Sequence, residues 1–299
     1  MKKSFSQVEC LESGKVIFNR DYWDIFKNCG FDSFDSIYSY QDVEIIKNIR
    51  DRSVGRFNLQ ADGKKKCFYL KRHNREYVGI RGLMAVLFPG IVVSQGRKEF
   101  ENICDFRGKS LATVEPVATG EKLIRLFWVE SFLITEDFSP FISLEKLLMD
   151  NPQFLIGQKS ESEKLSLIHE IAFYARKMHK EGFNHRDFNA THILINREPE
   201  SRRIDIALFD LQRVAKRKFF RFRWIIKSLS ELNYTLPDDI FDINDRINLF
   251  LSYKGKSTLN FWDRLQLHWI RRKAARIKKH TEKMLIRREE RKSRGLLER

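Results

Sequence analysis

At 299 residues, with 42% hydrophobic and 32% charged side chains, the chain is long enough for two domains, each with its own core. Its four cysteines, Cys10, Cys29, Cys67 and Cys104, form no CxxC or Cys/His cluster, which speaks against a disulfide framework or structural zinc and for a reducing cytoplasm. The formal charge of +16 calls for a polyanionic partner: nucleic acid, acidic lipid headgroups or an anionic glycan.

Met1 to Lys15 is charged throughout and holds no apolar stretch of a signal peptide, and the uncharged run Gly82 to Gln95 is too short to span a bilayer and is broken by Pro89-Gly90. Residues 1–40, rich in aromatics such as Tyr22, Trp23, Phe26, Phe31 and Phe34, are expected to form an extension with one short helix. Three strands should follow in an antiparallel meander, Val43 to Ile49, Val54 to Gln60 and Cys67 to Arg72. The Asp-Gly of Ala61-Asp62-Gly63-Lys64 closes the second hairpin. After the apolar segment Gly82 to Phe88 come a helix over Arg97 to Phe106 and two strands, Leu111 to Ala118 and Leu126 to Thr135. Five strands and one helix make a small lobe over residues 41–136.

Beyond Pro140 the apolar period becomes helical, over Leu144 to Met149 and over Leu165 to His179. Short strands His192 to Ile195 and Ile204 to Phe209 flank a polar hairpin, Arg197 to Arg203, and helices complete a lobe over 137–260. The class is therefore α+β, with an antiparallel lobe followed by a mainly helical one.

The densest chemical signal is Gly182-Phe183-Asn184-His185-Arg186-Asp187, followed by the apolar Ile193-Leu194-Ile195 and then Leu208-Phe209-Asp210. A helix ends, a turn presents His-Arg-Asp, and a later strand ends in a second aspartate, which is the order of a kinase catalytic loop and metal-binding Asp. Asp187 is suited to orient an incoming hydroxyl and accept its proton, with Arg186 behind it holding the loop. Asp210 is a hard oxygen ligand for Mg²⁺. Lys71 ends the third strand, where it can reach the α- and β-phosphates of ATP, and Glu99 on the following helix can pair with it.

Departures from protein kinases are as informative. His192 stands five residues after Asp187, where those enzymes place Asn, and Gln212 stands where a Gly would follow the metal aspartate. No G-x-G-x-x-G precedes Lys71, which leaves Arg50 to Gly55 as the one nucleotide-covering turn, and no Ala-Pro-Glu follows Asp210. His192 is a poor substitute for an Asn carbonyl on Mg²⁺. Its other readings are a hydrogen bond to Asp187 or to a phosphate oxygen, or a cap that closes the loop.

Over about residues 65 to 230 the chain resembles the lipopolysaccharide core kinases, the Kdo/WaaP family. The resemblance rests on Tyr69-Leu70-Lys71-Arg72-His73, on Arg97-Lys98-Glu99-Phe100, on Ser131 to Asp137 with Ile142-Ser143-Leu144-Glu145, on Asn184-His185-Arg186-Asp187 with His192, and on Phe209-Asp210-Leu211. It implies a two-lobed protein-kinase-like fold, a hinge at Glu136 that bonds adenine through its backbone, ATP and Mg²⁺ as cosubstrates, and a heptose or Kdo hydroxyl of the lipopolysaccharide inner core as acceptor. A protein Ser/Thr kinase of the same fold is disfavoured by the missing Ala-Pro-Glu. A pseudokinase or polyanion-binding protein is disfavoured by the retained Lys71, Asp187 and Asp210. Sequence-specific nucleic-acid binding has no recognition motif to support it, since charge alone is sequence-blind.

Two segments carry the whole charge surplus. Arg213 to Lys227 holds seven Lys or Arg and no acid, and Phe261 to Arg299 has nine more basic than acidic residues. The first, with Arg213, Arg221 and Arg223, is expected to bind the anionic acceptor unless it is only a solvated loop. The second, residues 261–299, is expected to be a basic amphipathic helix. Trp262, Leu265, Trp269, Ile270, Ile277 and Met284 fall on one face, and the helix either holds the enzyme on the cytoplasmic face of the inner membrane or packs on the large lobe.

Overall fold

A computed structural model describes residues 8–12, 15–61, 63–76, 84, 93–124, 128–155, 161–197, 203–216, 219 and 221–293. Most of the apolar segment 82–88, Asp62, the start of the strand expected from Leu126, the tip of the 197–203 hairpin, Arg217 and Lys218, and the last six residues lie outside them. The chain divides into two compact units, Met1–Pro140 with Leu208–Gln212, and Phe141–Ala207 with Arg213–Arg299.

The first unit is built on a seven-stranded antiparallel sheet in the order β1-β2-β6-β7-β5-β4-β3. Its strands are β1 (Val8–Leu11), β2 (Val16–Asn19), β3 (Glu44–Ile49), β4 (Arg52–Ala61), β5 (Lys64–Glu76), β6 (Pro116–Ile124) and β7 (Trp128–Glu136). The expected meander is present as β3, β4 and β5, with Ala61 paired to Lys64 across a turn whose Gly63 has φ +70°. The expected five strands become seven because β1 and β2 add to the β6 edge. Leu111 to Glu115, expected to open a strand, is instead a connecting run in which Leu111 is buried and Thr113 bridges Leu208. The strand begins only at Pro116, a position that needs no ladder N–H.

Alternation gives the sheet two covered faces. Phe57, Leu59, Phe68, Leu70, Phe132 and Ile134 point to one face, and α1 (Arg20–Asn28) and α2 (Phe34–Tyr38) cover it with Tyr22, Phe26, Phe34 and Ile37. The described part of the first forty residues, 8–12 and 15–40, is thus a layer of the sheet domain. Their aromatics are the rings that a half-covered sheet needs to become a core. The opposite face carries Tyr69, Lys71 and His73, and α3 (Gln95–Gly108) packs on β6 and β7.

The second unit holds β8 (Ile142–Ser143), α4 (Leu144–Asp150), α5 (Glu161–Lys180), β9 (Phe183–His185), β10 (Ile193–Arg197), β11 (Ile204–Leu208), β12 (Val214–Lys216), α6 (Arg221–Thr235), α7 (Ile243–Lys254) and α8 (Phe261–Ser293). One small sheet has the order β11-β10-β8, and β12 pairs with β9. Helix α5 packs on α7, and α6 packs on α8. The face expected along α8 is divided: Ile270 is buried with Ala274 and Asp263, whereas Trp262 and Met284 are 66% and 56% exposed. Two basic partners explain the buried acid, because Asp263 receives Lys254 at 3.0 Å and Lys256 at 2.6 Å, which hold its carboxyl down at about 2.

Phe26 tests the status of the first forty residues. Its fully buried ring lies 5.1 Å from Phe68 and 5.6 Å from Phe18. Phe26→Ala should cost about 3–5 kcal/mol in urea unfolding, as for a core aromatic. A change within about 0.5 kcal/mol, the scale of surface substitutions, would return the segment to an appendage.

Candidate active site

Lys71 leaves the second face of β5, opposite Leu133 of β7. Its ammonium lies 2.8 and 2.7 Å from the two carboxylate oxygens of Glu99 and 3.0 Å from Oδ1 of Asp210. Glu99 is 3% exposed. Burial pushes its carboxyl up, and Lys71 opposes that shift. The expected Lys71–Glu99 pair and the metal-type aspartate therefore meet inside one unit.

The start of α3 is fastened at three points. Ser94 Oγ accepts from the Arg97 amide, the Gln95 amide donates to Glu76 at 2.6 Å, and the Gly96 amide donates to Ser131 Oγ at 3.2 Å. A Cβ at position 96 would lie 2.5 Å from the Phe132 carbonyl oxygen, so glycine is what lets the helix approach β7. Asp210 is held from its own flanks. Thr113 Oγ1 donates to the Leu208 carbonyl at 2.7 Å, Asn102 donates to the Leu211 carbonyl at 2.8 Å, and Gln212 donates to Gln95 at 2.7 Å. These ties draw Leu208–Gln212 into the first unit, although the sequence had grouped Asp210 with the helical lobe. Asp210 has φ +56°, a left-handed conformation that aspartate tolerates better than most residues.

The sequence marked Arg52 only as part of the nucleotide-covering turn and did not mark Glu76. Arg52 approaches Asp210 Oδ2 at 3.7 Å, a contact that depends on the β4–β5 register pairing Arg52 with His73. Glu76 is buried and also accepts from Ser131 Oγ. Nothing in its local spacing marks it, because its partners lie 19 and 55 positions away.

Glu136 has other partners than expected of a hinge. Its carboxylate accepts from Tyr22 Oη and pairs with Lys66 at 3.3 Å. Its amide donates to the Glu115 carbonyl, and the Asp137 amide to that of Cys67. Both amides are taken by main-chain carbonyls, so adenine bonding through the Glu136 backbone would fall to its carbonyl.

In the second unit α5 ends at Gly182, with φ +85°, and β9 carries the chain into the loop. The Asp187 amide donates to His185 Nδ1 at 3.1 Å, which places the His185 proton on Nε2. His192 Nδ1 donates to the Asp187 carbonyl at 2.9 Å, and the His192 amide bonds Asn189. His192 thus closes the loop from behind. Its Nδ1 is spent there, and imidazole is a poor Mg²⁺ donor. Among the described residues no group of three or more His, Cys, Asp or Glu is arranged to hold a metal.

Arg213 Nη1 lies 2.8 Å from Asp187 Oδ1. Arg186 does not back the loop but stacks its guanidinium over Trp224, 5.2 Å from the ring centre. Arg221 donates to the His179 and Lys180 carbonyls and so caps the end of α5. Arg223 lines a hollow with Arg186, Trp224, Lys227 and Lys273.

The sequence model of the lipopolysaccharide kinase (Kdo/WaaP) family matches residues 40–253. The lipopolysaccharide core heptose(I) kinase WaaP of Escherichia coli K12 is 30% identical over 199 residues, covering 64% of this chain and 70% of that protein. WaaP of Pseudomonas aeruginosa is 25% identical over 219 residues, covering 72% and 80%. The solved structure of WaaP in complex with acyl carrier protein has the same fold, with a TM-score of 0.61 at 23% identity over 84% of this chain and 95% of that one.

Glu76 supplies a pH test of the anchor beneath Glu99. Burial pushes its carboxyl from 4.5 to about 7, against the hydrogen bonds from Ser131 and Gln95. The folded state then binds the proton more tightly than the unfolded one. Its contribution to stability is full below pH 4.5 and is lost as pH rises through about 7. Urea midpoints measured across that window should fall with pH in the natural protein, and Glu76→Gln should flatten the fall. An unchanged slope would remove Glu76 as the titrating group.

Proposed function

The chain belongs to the lipopolysaccharide kinase (Kdo/WaaP) family and is a phosphotransferase that uses ATP, and from that premise we propose that it phosphorylates a heptose hydroxyl of the inner core. The observation that carries the site assignment is the Lys71–Glu99–Asp210 group, a cation fixed by a buried carboxylate beside a hard oxygen donor. In the proposed reaction the acceptor oxygen attacks the γ-phosphorus, the bond to the β–γ bridging oxygen breaks, and ADP departs with that electron pair. The hydroxyl proton passes to the Asp187 carboxylate, which Arg213 keeps oriented.

Lys71 would neutralise the α- and β-phosphates, its direction set by Glu99. The carboxylate of Asp210, which here meets Lys71 and Arg52, is the hard oxygen donor that would hold Mg²⁺. When bound, Mg²⁺ would neutralise charge developing on the phosphate oxygens. His192 serves the geometry of the Asp187 loop rather than the metal.

No helix among the described residues is long and apolar enough to cross a membrane. The location that suits a lipid-linked acceptor is the cytoplasmic surface of the inner membrane. Exposed apolar groups of α8, among them Phe261, Trp262, Met284, Leu285 and Ile286, are available for peripheral contact.

Incubation with ATP, Mg²⁺ and heptose-terminated lipopolysaccharide should transfer one phosphate per heptose acceptor, and lipid lacking heptose should accept none. Asp187→Ala should lower kcat by about 10² or more with the KM for ATP unchanged. Lys71→Ala should raise the KM for ATP, and Asp210→Asn the Mg²⁺ requirement. Normal kcat in Asp187→Ala, or an effect of Lys71→Ala confined to the acceptor, would refute these roles.

A further inference from the structure

Helices α6 and α8 come from the two basic segments of the sequence, and they pack together along an apolar seam. Ile226 and Ile270 are buried, Phe222 and Trp269 meet edge to face at 5.5 Å, and Ser230 Oγ donates to the Ile270 carbonyl at 3.2 Å. Above this seam runs a groove of about 910 Å³. It adjoins the hollow of about 340 Å³ that Arg186 and Trp224 line, and Arg223 and Lys273 line both. The hollow therefore starts one residue from Asp187 and opens along the helix pair.

The charge in this surface is one-sided. Arg223, Lys227, Lys273 and Arg276 form no ion pair among the described residues. Glu231 is the one acidic side chain lining the groove. Burial first, and then the neighbouring Lys227 and Arg223, push the Lys273 ammonium below its usual value against the pull of Glu231. A folded protein that holds cations together over an apolar, aromatic floor is complementary to an anionic amphiphile. Water alone would be better served by cations spread apart.

We propose that the α6–α8 groove is a second recognition site for the acceptor, in which Arg223, Lys227, Lys273 and Arg276 take a phosphate ester of the lipid-linked saccharide. Phe222 and Trp269 cover its apolar part. This inference rests on the reading that the acceptor is a lipid-linked sugar. It adds that the enzyme grips that molecule at a phosphate distinct from the hydroxyl it modifies. Lys273, with Arg223, joins the two parts of the surface, and neither Lys273 nor Arg276 belongs to the catalytic group.

The test is a cycle between protein and ligand. Two acceptors are used, heptose-terminated lipopolysaccharide and the same glycolipid stripped of its phosphate esters, with the natural enzyme, the K273Q/R276Q double variant and Lys273→Arg. The double variant should raise the KM for the phosphorylated glycolipid about tenfold or more, with kcat and the KM for ATP unchanged, the scale of losing a charge-assisted contact. The stripped glycolipid should show the higher KM with the natural enzyme already, and the double variant should add nothing. Lys273→Arg should keep the low KM. Equal effects on both glycolipids, or no effect, would overturn the proposal. It would also be overturned if the double variant lost only binding to phosphatidylglycerol vesicles or to acyl carrier protein, for then the groove would serve a membrane or a protein. If the natural enzyme phosphorylates neither glycolipid, the functional reading fails by itself. Calorimetric binding of the same two glycolipids to the same three proteins then decides the groove by the same criterion.

Discussion

A carboxylate with 3% exposure cannot remain ionised without a cation beside it, and the first unit is organised around meeting that condition for Glu99. Lys71 supplies the cation from the sheet, and its position depends on the β5–β7 register that sets it opposite Leu133. The helix carrying Glu99 must start at one place, and Ser94, Glu76 and Ser131 hold that start through the amides of Arg97, Gln95 and Gly96. Removing one partner of such a buried pair costs about 3–5 kcal/mol, whereas replacing both by apolar groups is often neutral. The pair is therefore expensive to break without being a large source of net stability, and in the proposed function its value lies in aiming the lysine.

The sheet can bear that polar cluster because the centre of its other face is an apolar core. Aromatic packing of Phe26, Phe57, Phe68 and Phe132 beneath α1 and α2 fixes the strands, and strand position fixes Lys71. In the second unit the catalytic-type loop is fixed by hydrogen bonds instead. His185 takes the Asp187 amide, His192 gives to the Asp187 carbonyl, and the side chain is left to meet Arg213. The two histidines divide the main chain of one aspartate between them.

What the sequence made legible was chemistry in a fixed order along the chain. Lys71, Glu99, Asp187 and Asp210 stood out because a strand, a helix, a turn and a second strand end presented them in succession, and Lys71, Glu99 and Asp210 do meet. The first forty residues were opaque because strands of four residues are too short to display alternation, and their aromatics carry no period of their own. Glu76 and the contact of Arg52 with Asp210 were invisible because register and burial, not neighbours in sequence, give them their partners. Arg221 looked like a ligand-binding cation and instead caps a helix, since a basic residue gives no sign of whether a carbonyl lies within reach. Amphipathic spacing along α8 predicted one apolar face but could not divide it between Ile270, which α6 covers, and Met284, which remains exposed.

The central claim is that the Lys71–Glu99 pair aims a cation at the nucleotide and is not kept for stability. Glu99→Gln tests it directly, because the amide fills the same space and removes the buried charge. Unfolding in urea and ATP turnover should be measured on the same preparation. Turnover should fall by a large factor in the folded variant, while the loss of one partner of the buried pair also costs stability. A folded variant that turns over ATP normally would contradict the claim.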